Sequence, residues 1–264
     1  MLLQKTQGDL EKLRSVGPLV HNITNYVVMN NTANALLAIG ASPIMAHAIE
    51  EVEEMVSISQ CLVINIGTLS ASWLEAMTRA SAKAKELDKP IVLDPVGAGA
   101  SQFRIQAIRK ILEKGPPSII RGNASEIIST AQDSAGGKGV DATDSSQAAI
   151  TQAKLLSERY GSVVVVSGEV DYVVFGKEHH SIHQGHPLMT KVTGMGCTAT
   201  AICGAFAAIQ PNFAQAAFSA MAVMGIAGEM AAEEAKGPGT FQSVFLDKLF
   251  HLTSSEIQDR WKSN

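Results

Sequence analysis

Cys61-Leu62-Val63-Ile64-Asn65-Ile66, dominated by apolar side chains, has the length of one strand and stops at Gly67-Thr68. Trp73 to Leu87 then carries helical spacing, and Pro90-Ile91-Val92-Leu93-Asp94-Pro95 is a second apolar run with an acid near its end. Neither run alternates apolar with polar residues, so each strand is expected to be buried on both faces. Strand, helix and strand in that order describe a parallel unit covered by helices.

The same alternation extends outward. Toward the N-terminus, a helix over 1–17 ends near Gly17-Pro18, a strand runs from Pro18 to Asn25, and a helix from Val27 to Ile39 stops at Gly40. Ser42 to Ala46 is a brief strand. Ile49 to Ile58 is a helix whose Glu50, Glu51, Glu53 and Glu54 give it an acidic first turn and a solvated face. Toward the C-terminus come a helix at Ser101–Glu113, a strand at Ser118–Gly122 and a short helix at Ala124–Thr130. A glycine-rich stretch, Ser134–Thr143, reads as a mobile loop. A helix at Ser145–Tyr160 and a strand at Val163–Ser167 follow, then two more exposed strands at Tyr172–Phe175 and Ser181–Gln184. After Cys197 the chain is mostly helix. The fold class is α/β around a mainly parallel sheet. With 264 residues and 46% hydrophobic content, a single domain spanning 1–264 is expected.

Formal net charge is −4, no long basic run exists, and aromatics make up 5% of the chain. These features weigh against a nucleic-acid surface. No apolar stretch runs for about 20 residues without polar interruption, and Met1–Leu13 lacks a signal-peptide core, so a cytoplasmic protein with no membrane partner is expected. Cys61, Cys197 and Cys203 show neither metal spacing nor a disulfide framework, and reduced thiols suit that compartment. Cys61 and Cys203, in apolar segments, are expected to be small core residues. There is no internal repeat, no Gly-x-Gly-x-x-Gly after the first strand and no Walker phosphate loop.

Ligands of parallel sheets bind beyond the carboxyl ends of the strands. There the chain places Asn25, Met45, Gly67-Thr68, Asp94, Arg121 with Asn123 and Glu126, Ser167-Gly168, and the turn Thr193-Gly194-Met195-Gly196-Cys197. The Gly-x-Gly turn precedes an apolar run, Ala199–Ile209, that reads as a buried helix. Glycine lets the backbone approach an anion closely, and the first N–H groups of a helix lack internal partners and carry partial positive charge. A bare tight turn is the other reading. Cys197, at the helix cap, is a base or simply a small capping residue. Asp94 and Glu126 suit Mg²⁺, which takes hard oxygen ligands shared with phosphates and water. Glu126, three residues after Asn123, alternatively completes a capping arrangement. Arg121 matches phosphate oxygens in shape and charge, or forms a surface ion pair. Ser167 touches phosphate through its hydroxyl, or forms a turn.

His21-Asn22-Ile23-Thr24-Asn25, Leu93-Asp94-Pro95-Val96-Gly97-Ala98, Arg121-Gly122-Asn123-Ala124-Ser125-Glu126 and Val192-Thr193-Gly194-Met195-Gly196-Cys197 together resemble the hydroxyethylthiazole kinase family of the ribokinase-like superfamily. The resemblance covers about Gly17 to Lys236. The Gly-x-Gly turn is common to the superfamily; the His21–Asn25 motif and Cys197 are far more specific to the thiazole kinases. The resemblance implies a three-layer α/β/α sandwich and transfer of the ATP γ-phosphate to the hydroxyl of 4-methyl-5-(2-hydroxyethyl)thiazole. Mg²⁺ would be the cofactor, ATP the co-substrate and thiamine salvage the use. By motif, Arg121, Ser167 and Asn123 would bind ATP. Met45, Gly194 and Asn25 would bind the thiazole alcohol, and Asp94 and Glu126 would organise Mg²⁺. Gly194, Gly196 and Cys197 would form the catalytic turn. A homotrimer with sites at subunit interfaces is also implied, with the Met45 region of one chain closing its neighbour's site.

One departure from the superfamily stands out. Many of its kinases carry an aspartate, as general base, where this chain has Cys197. A thiol with a pKa of about 8.5 is mostly protonated at neutral pH, and although a helix N-terminus lowers that value, the charges of ATP disfavour a thiolate. Weak assistance and a slow kinase are expected. Kinases of hydroxymethylpyrimidine or pyridoxal, and an ATP-dependent hydro-lyase repairing hydrated nicotinamide cofactor, typically carry the aspartate, so Cys197 counts against them. Asp94, Arg121 and Glu126 together count against a non-catalytic thiazole binder.

Overall fold

The computed structural model describes residues 1–135 and 145–262; the loop expected at Ser134–Thr143 lies, from residue 136 onward, outside them. In chain order the elements are α1 (Leu2–Val16), β1 (Leu19–Ile23), α2 (Met29–Ile39), β2 (Ser42–Met45), α3 (Val52–Ile58), β3 (Cys61–Asn65), α4 (Ala71–Glu86), β4 (Ile91–Asp94), α5 (Gln102–Lys114), β5 (Ile119–Asn123), α6 (Ala124–Ala135) and α7 (Ser145–Tyr160). They continue with β6 (Val163–Ser167), β7 (Asp171–Phe175), β8 (Glu178–Ile182), a 3₁₀ turn (Pro187–Lys191), α8 (Met195–Ala207), α9 (Phe213–Glu234), α10 (Pro238–His251) and α11 (Ser254–Asp259).

Among the described residues, eight strands form one sheet in the order β2-β1-β3-β4-β5-β6-β7-β8. Pairing is parallel from β2 to β6, and β7 and β8 add an antiparallel edge. Successive side chains of a strand point to opposite faces, and here both faces are dry. Val20, Val63, Val92, Ile119, Val163 and Val165 join one core with α1, α2, α8, α9 and α10. Ile23, Leu62, Ile64, Leu93, Ile120 and Val164 join the other, with α3 to α7. The result is the expected three-layer sandwich.

The chain passes from β1 to β2 on one side and then returns to β3 on the other. That reversal opens a crevice beyond the carboxyl ends of the central strands. The register aligns those ends: Asn22 pairs with Met45, Asn65 with Asp94 and Asn123 with Ser167. By length and composition α9 could cross a bilayer, but 83% of its apolar window is buried within the protein, where it packs on α1, α8 and α10 as a core helix.

Several boundaries differ from expectation. Helix α3 begins at Val52, because Ile49–Glu51 form a turn closed by the Glu51 N–H on Ala48 O at 3.2 Å. Helix α6 continues beyond Thr130 to Ala135, with Ala131 in the core. Strand β8 is Glu178–Ile182 rather than Ser181–Gln184, since Gly176, at φ 57°, turns the chain early. Its Glu178-His179-His180 start is an exposed edge with no apolar signal. Cys61 and Cys203 are fully buried, as expected.

Phe206 is fully buried where α8 meets α9 and the sheet. Phe206→Ala is expected to lower unfolding free energy by about 3–5 kcal/mol in chemical denaturation, and a loss under about 1 kcal/mol would contradict this packing.

Candidate active site

The rim is built around the start of α8. Gly194 is its N-cap, at φ 85°, a left-handed conformation that other residues rarely adopt. Helix α8 therefore begins at Met195, and Cys197 is its third residue rather than its cap, a correction to the sequence reading. No side chain caps α8, whereas α4, α5 and α9 are capped by Ser70, Ser101 and Asn212. The first-turn N–H groups of α8 and its dipole are thus presented to an external anion.

Arg121 lies against this turn, and a Cβ at Gly196 would fall 2.6 Å from its Nη1. Only that absence of a side chain lets backbone and guanidinium come together. Arg121 is 9% exposed and donates from Nη2 to Ser167 Oγ at 2.6 Å, so it is not a surface ion pair. Its Nε is buried without a partner. Arg121, Ser167, Gly194 and Gly196 line one cleft of about 1010 Å³, with Met224 among its apolar lining. Asp171, which sequence reasoning missed, also lines it and accepts from the Gly168 N–H at 2.9 Å. Burial pushes the Asp171 carboxyl up to about 6, against the opposing effects of that bond and of Arg121.

Beside the cleft runs a buried chain of hydrogen bonds. Asp94 Oδ2 accepts from Asn65 Nδ2 and Thr200 Oγ1, both at 2.8 Å. Asn65 Oδ1 accepts from Asn25 Nδ2 at 2.8 Å, and the same amide donates to Cys197 Sγ at 3.5 Å. These side chains tie the loop after β1 and helix α8 to the paired strands β3 and β4. Asp94 is 1% exposed and its Oδ1 has no partner. Burial raises its pKa to about 6, with Glu126 adding to the rise while Arg121, Thr200 and Asn65 oppose it. The Cys197 thiol is pushed up to about 11, first by burial and then by Asp94, with Asn65 and Asn25 offsetting part. The helix N-terminus does not bring this thiol into the neutral range.

Glu126 fulfils the capping reading. Its Oε2 accepts from the Asn123 N–H at 2.9 Å, and Asn123 Oδ1 accepts from the Glu126 N–H at 3.0 Å. Its Oε1 also accepts from the Gly97 N–H at 2.9 Å, which ties the loop after β4 to the start of α6. Asn123 is exposed and spends its side chain on this cap, outside the cleft lining. Met45, half-buried on edge strand β2, joins neither the cleft lining nor the hydrogen-bonded chain.

Sequence reasoning also missed Asn65, Thr200 and Arg104. A polar residue inside an apolar run was the signal for Asn65. Thr200 lies one turn beyond Gly196, whose carbonyl it also reaches at 3.2 Å. Arg104 had no signal. It donates to Ile66 O and Val96 O, each at 2.6 Å, and to Gly67 O at 2.8 Å, clamping the loops after β3 and β4.

Residues 10–255 match the model of the hydroxyethylthiazole kinase family. A hydroxyethylthiazole kinase of Leptospira biflexa is 61% identical over 259 residues, covering 98% of this chain and 97% of that one. Another, of Syntrophus aciditrophicus, is 55% identical over 258 residues, covering 97% and 96%. Among solved structures, hydroxyethylthiazole kinase from Pyrococcus horikoshii superposes with a TM-score of 0.91 at 42% identity over 98% of each chain. A pyridoxal kinase of Staphylococcus aureus in complex with ADP, 15% identical with a TM-score of 0.61 over 81% of this chain and 88% of that one, shares the fold alone. On a match that spans most of its length and on relatives more than half identical, the chain belongs to the hydroxyethylthiazole kinase family.

Proposed function

We propose that this chain transfers the γ-phosphoryl group of ATP to the hydroxyl of 4-methyl-5-(2-hydroxyethyl)thiazole, giving the thiazole phosphate used to make thiamine. The observation that carries the reading is Arg121 packed on Gly196 at the uncapped start of α8. Phosphoryl transfer asks a protein for alignment and charge neutralisation more than for covalent chemistry. Gly194 and Gly196 would present backbone N–H groups to the migrating phosphoryl group, and Arg121 and Ser167 would bind phosphate oxygens of the nucleotide. Asn25, fixed between Asn65 and Cys197, would orient the alcohol. A bound magnesium ion would neutralise phosphate charge. The residues present fit it: Asp94 keeps an unpartnered oxygen, and Glu126, whose oxygens accept from Gly97 and Asn123, retains spare lone pairs. We also infer a cytoplasmic homotrimer, in which Met45 on the β2 edge of one copy completes a neighbour's site.

The thiol in this reading is a neutral neighbour, not a base. A positioned base supplies about 10²–10⁴-fold, so Cys197→Ser is expected to keep kcat for thiazole-alcohol phosphorylation within about threefold. Cys197→Asp should leave turnover intact or raise it. A total loss in the aspartate variant, with folding and substrate binding preserved, would sink this assignment.

Asp94 predicts a conflict between stability and activity. Its folded-state pKa is raised to about 6, so burial favours the protonated form, and stability falls as pH rises from about 4 through about 6. In metal-free buffer at about pH 8, Asp94→Asn should gain about 1–3 kcal/mol over the native chain, and this gain should vanish by about pH 4. Kinase activity should fall by about 100-fold or more. Equal stability of the two proteins at both pH values would contradict the cost assigned to the buried carboxylate.

A further inference from the structure

One wall of the large cleft is seated on a single face of α9. Gly225, Gly228 and Glu229 stand at helical spacings of three and four, so they share that face. A Cβ at Gly225 would lie 2.6 Å from Gln184 O, and one at Gly228 would collide with Met189 Sδ. Two residues without side chains thus let the chain that joins β8 to the 3₁₀ turn lie directly on the helix. Glu229 then fixes it, since its Oε1 accepts from the Gly185 N–H at 2.9 Å. The same oxygen accepts from Lys262 Nζ, which also donates to His183 O at 3.0 Å. Within the segment, His186 Nδ1 accepts from the Leu188 N–H at 3.1 Å and caps the 3₁₀ turn.

Gln184, Gly185 and Met189 line the cleft that Arg121, Ser167 and Gly196 also line. Glu229 lies outside that lining, in a separate depression of about 360 Å³. Gly185 and His186 border both cavities, so Glu229 meets the wall from the side away from the cleft.

We propose that Glu229 is a positioning residue for the nucleotide: through the Gly185 N–H it sets the 183–189 wall of the ATP cleft without touching ATP. The role rests on the ATP reading of that cleft. Segments between regular elements are the least fixed parts of a site, and a wall that must be ordered on binding takes its ordering entropy out of the affinity. The bond from Glu229 orders the wall in advance. An acceptor oxygen is what the Gly185 N–H requires, and charge adds little, because Lys262 is 47% exposed and its ion pair with Glu229 is screened.

The test is steady-state kinetics with 4-methyl-5-(2-hydroxyethyl)thiazole as acceptor, together with calorimetric titration of ADP. Glu229→Ala should raise the KM for ATP and the Kd for ADP about tenfold, with kcat and the KM for the alcohol within about twofold of native. Glu229→Gln keeps an oxygen for the Gly185 N–H and should hold the ATP KM within about twofold of native. Gly225→Ala drives a Cβ into Gln184 O and should raise the ATP KM about tenfold or more, so it carries the test if Glu229→Ala fails to fold. A folded Glu229→Ala or Gly225→Ala protein with the native ATP KM overturns the positioning role alone. So does a Glu229→Ala protein whose KM values for ATP and alcohol rise together, or a Glu229→Gln protein as impaired as Glu229→Ala. A native protein that transfers no phosphate from ATP to the thiazole alcohol overturns the functional reading and the positioning role with it.

Discussion

The site depends on keeping one carboxylate, Asp94, out of water. Burying a charge is costly unless hydrogen bonds replace its hydration. Asn65 and Thr200 supply two bonds to Oδ2, while Oδ1 is left without a partner. The cost is visible in the raised pKa of Asp94. The bonds that hold Asp94 also organise the rim, because Asn65 bonds Asn25 and Asn25 bonds Cys197. Each amide orients the next, so the network fixes how Asp94, Asn65, Asn25 and Cys197 sit relative to one another.

The fold brings this network to a helix start that suits phosphate. The reversal at β1 opens the crevice, and the parallel register sets Asn65 beside Asp94 and Asn123 beside Ser167. Helix α8 crosses beneath with its first turn uncapped, and Arg121 rises from β5 against Gly196. Positive charge from the guanidinium and partial charge from the helix thus converge beside a buried acid. The thiol at Cys197 is held neutral by the surroundings that keep Asp94 dry. On the function proposed above, the site would place and neutralise phosphate, with little provision for proton abstraction.

Much of this was legible in residue patterns. Continuous runs such as Leu62–Ile64 and Ile91–Leu93 announced strands buried on both faces, and the acids and glycines at their ends marked the rim. Gly194 and Gly196 were legible as a pair, but their separate tasks were not. One sets a left-handed cap and the other admits Arg121, a contact between segments distant in the chain. Local spacing likewise revealed the Asn123–Glu126 cap but not the reach of Glu126 to Gly97. Arg104 was invisible because its partners are backbone carbonyls, which carry no sequence signal. Strand β8 was misplaced because an edge strand bearing Glu178, His179 and His180 has no buried face to imprint alternation. The rings of Tyr26, His47 and Trp73 come from separate segments of the chain and meet only in space.

The most direct measurement incubates purified protein with ATP and Mg²⁺ and, in separate reactions, 4-methyl-5-(2-hydroxyethyl)thiazole, pyridoxal and hydroxymethylpyrimidine, separating the products by chromatography. The account predicts ADP and thiazole phosphate in equal amounts from the first acceptor, with far slower transfer to the others. Absence of thiazole phosphate, with ADP formed only from another acceptor or not at all, would contradict it.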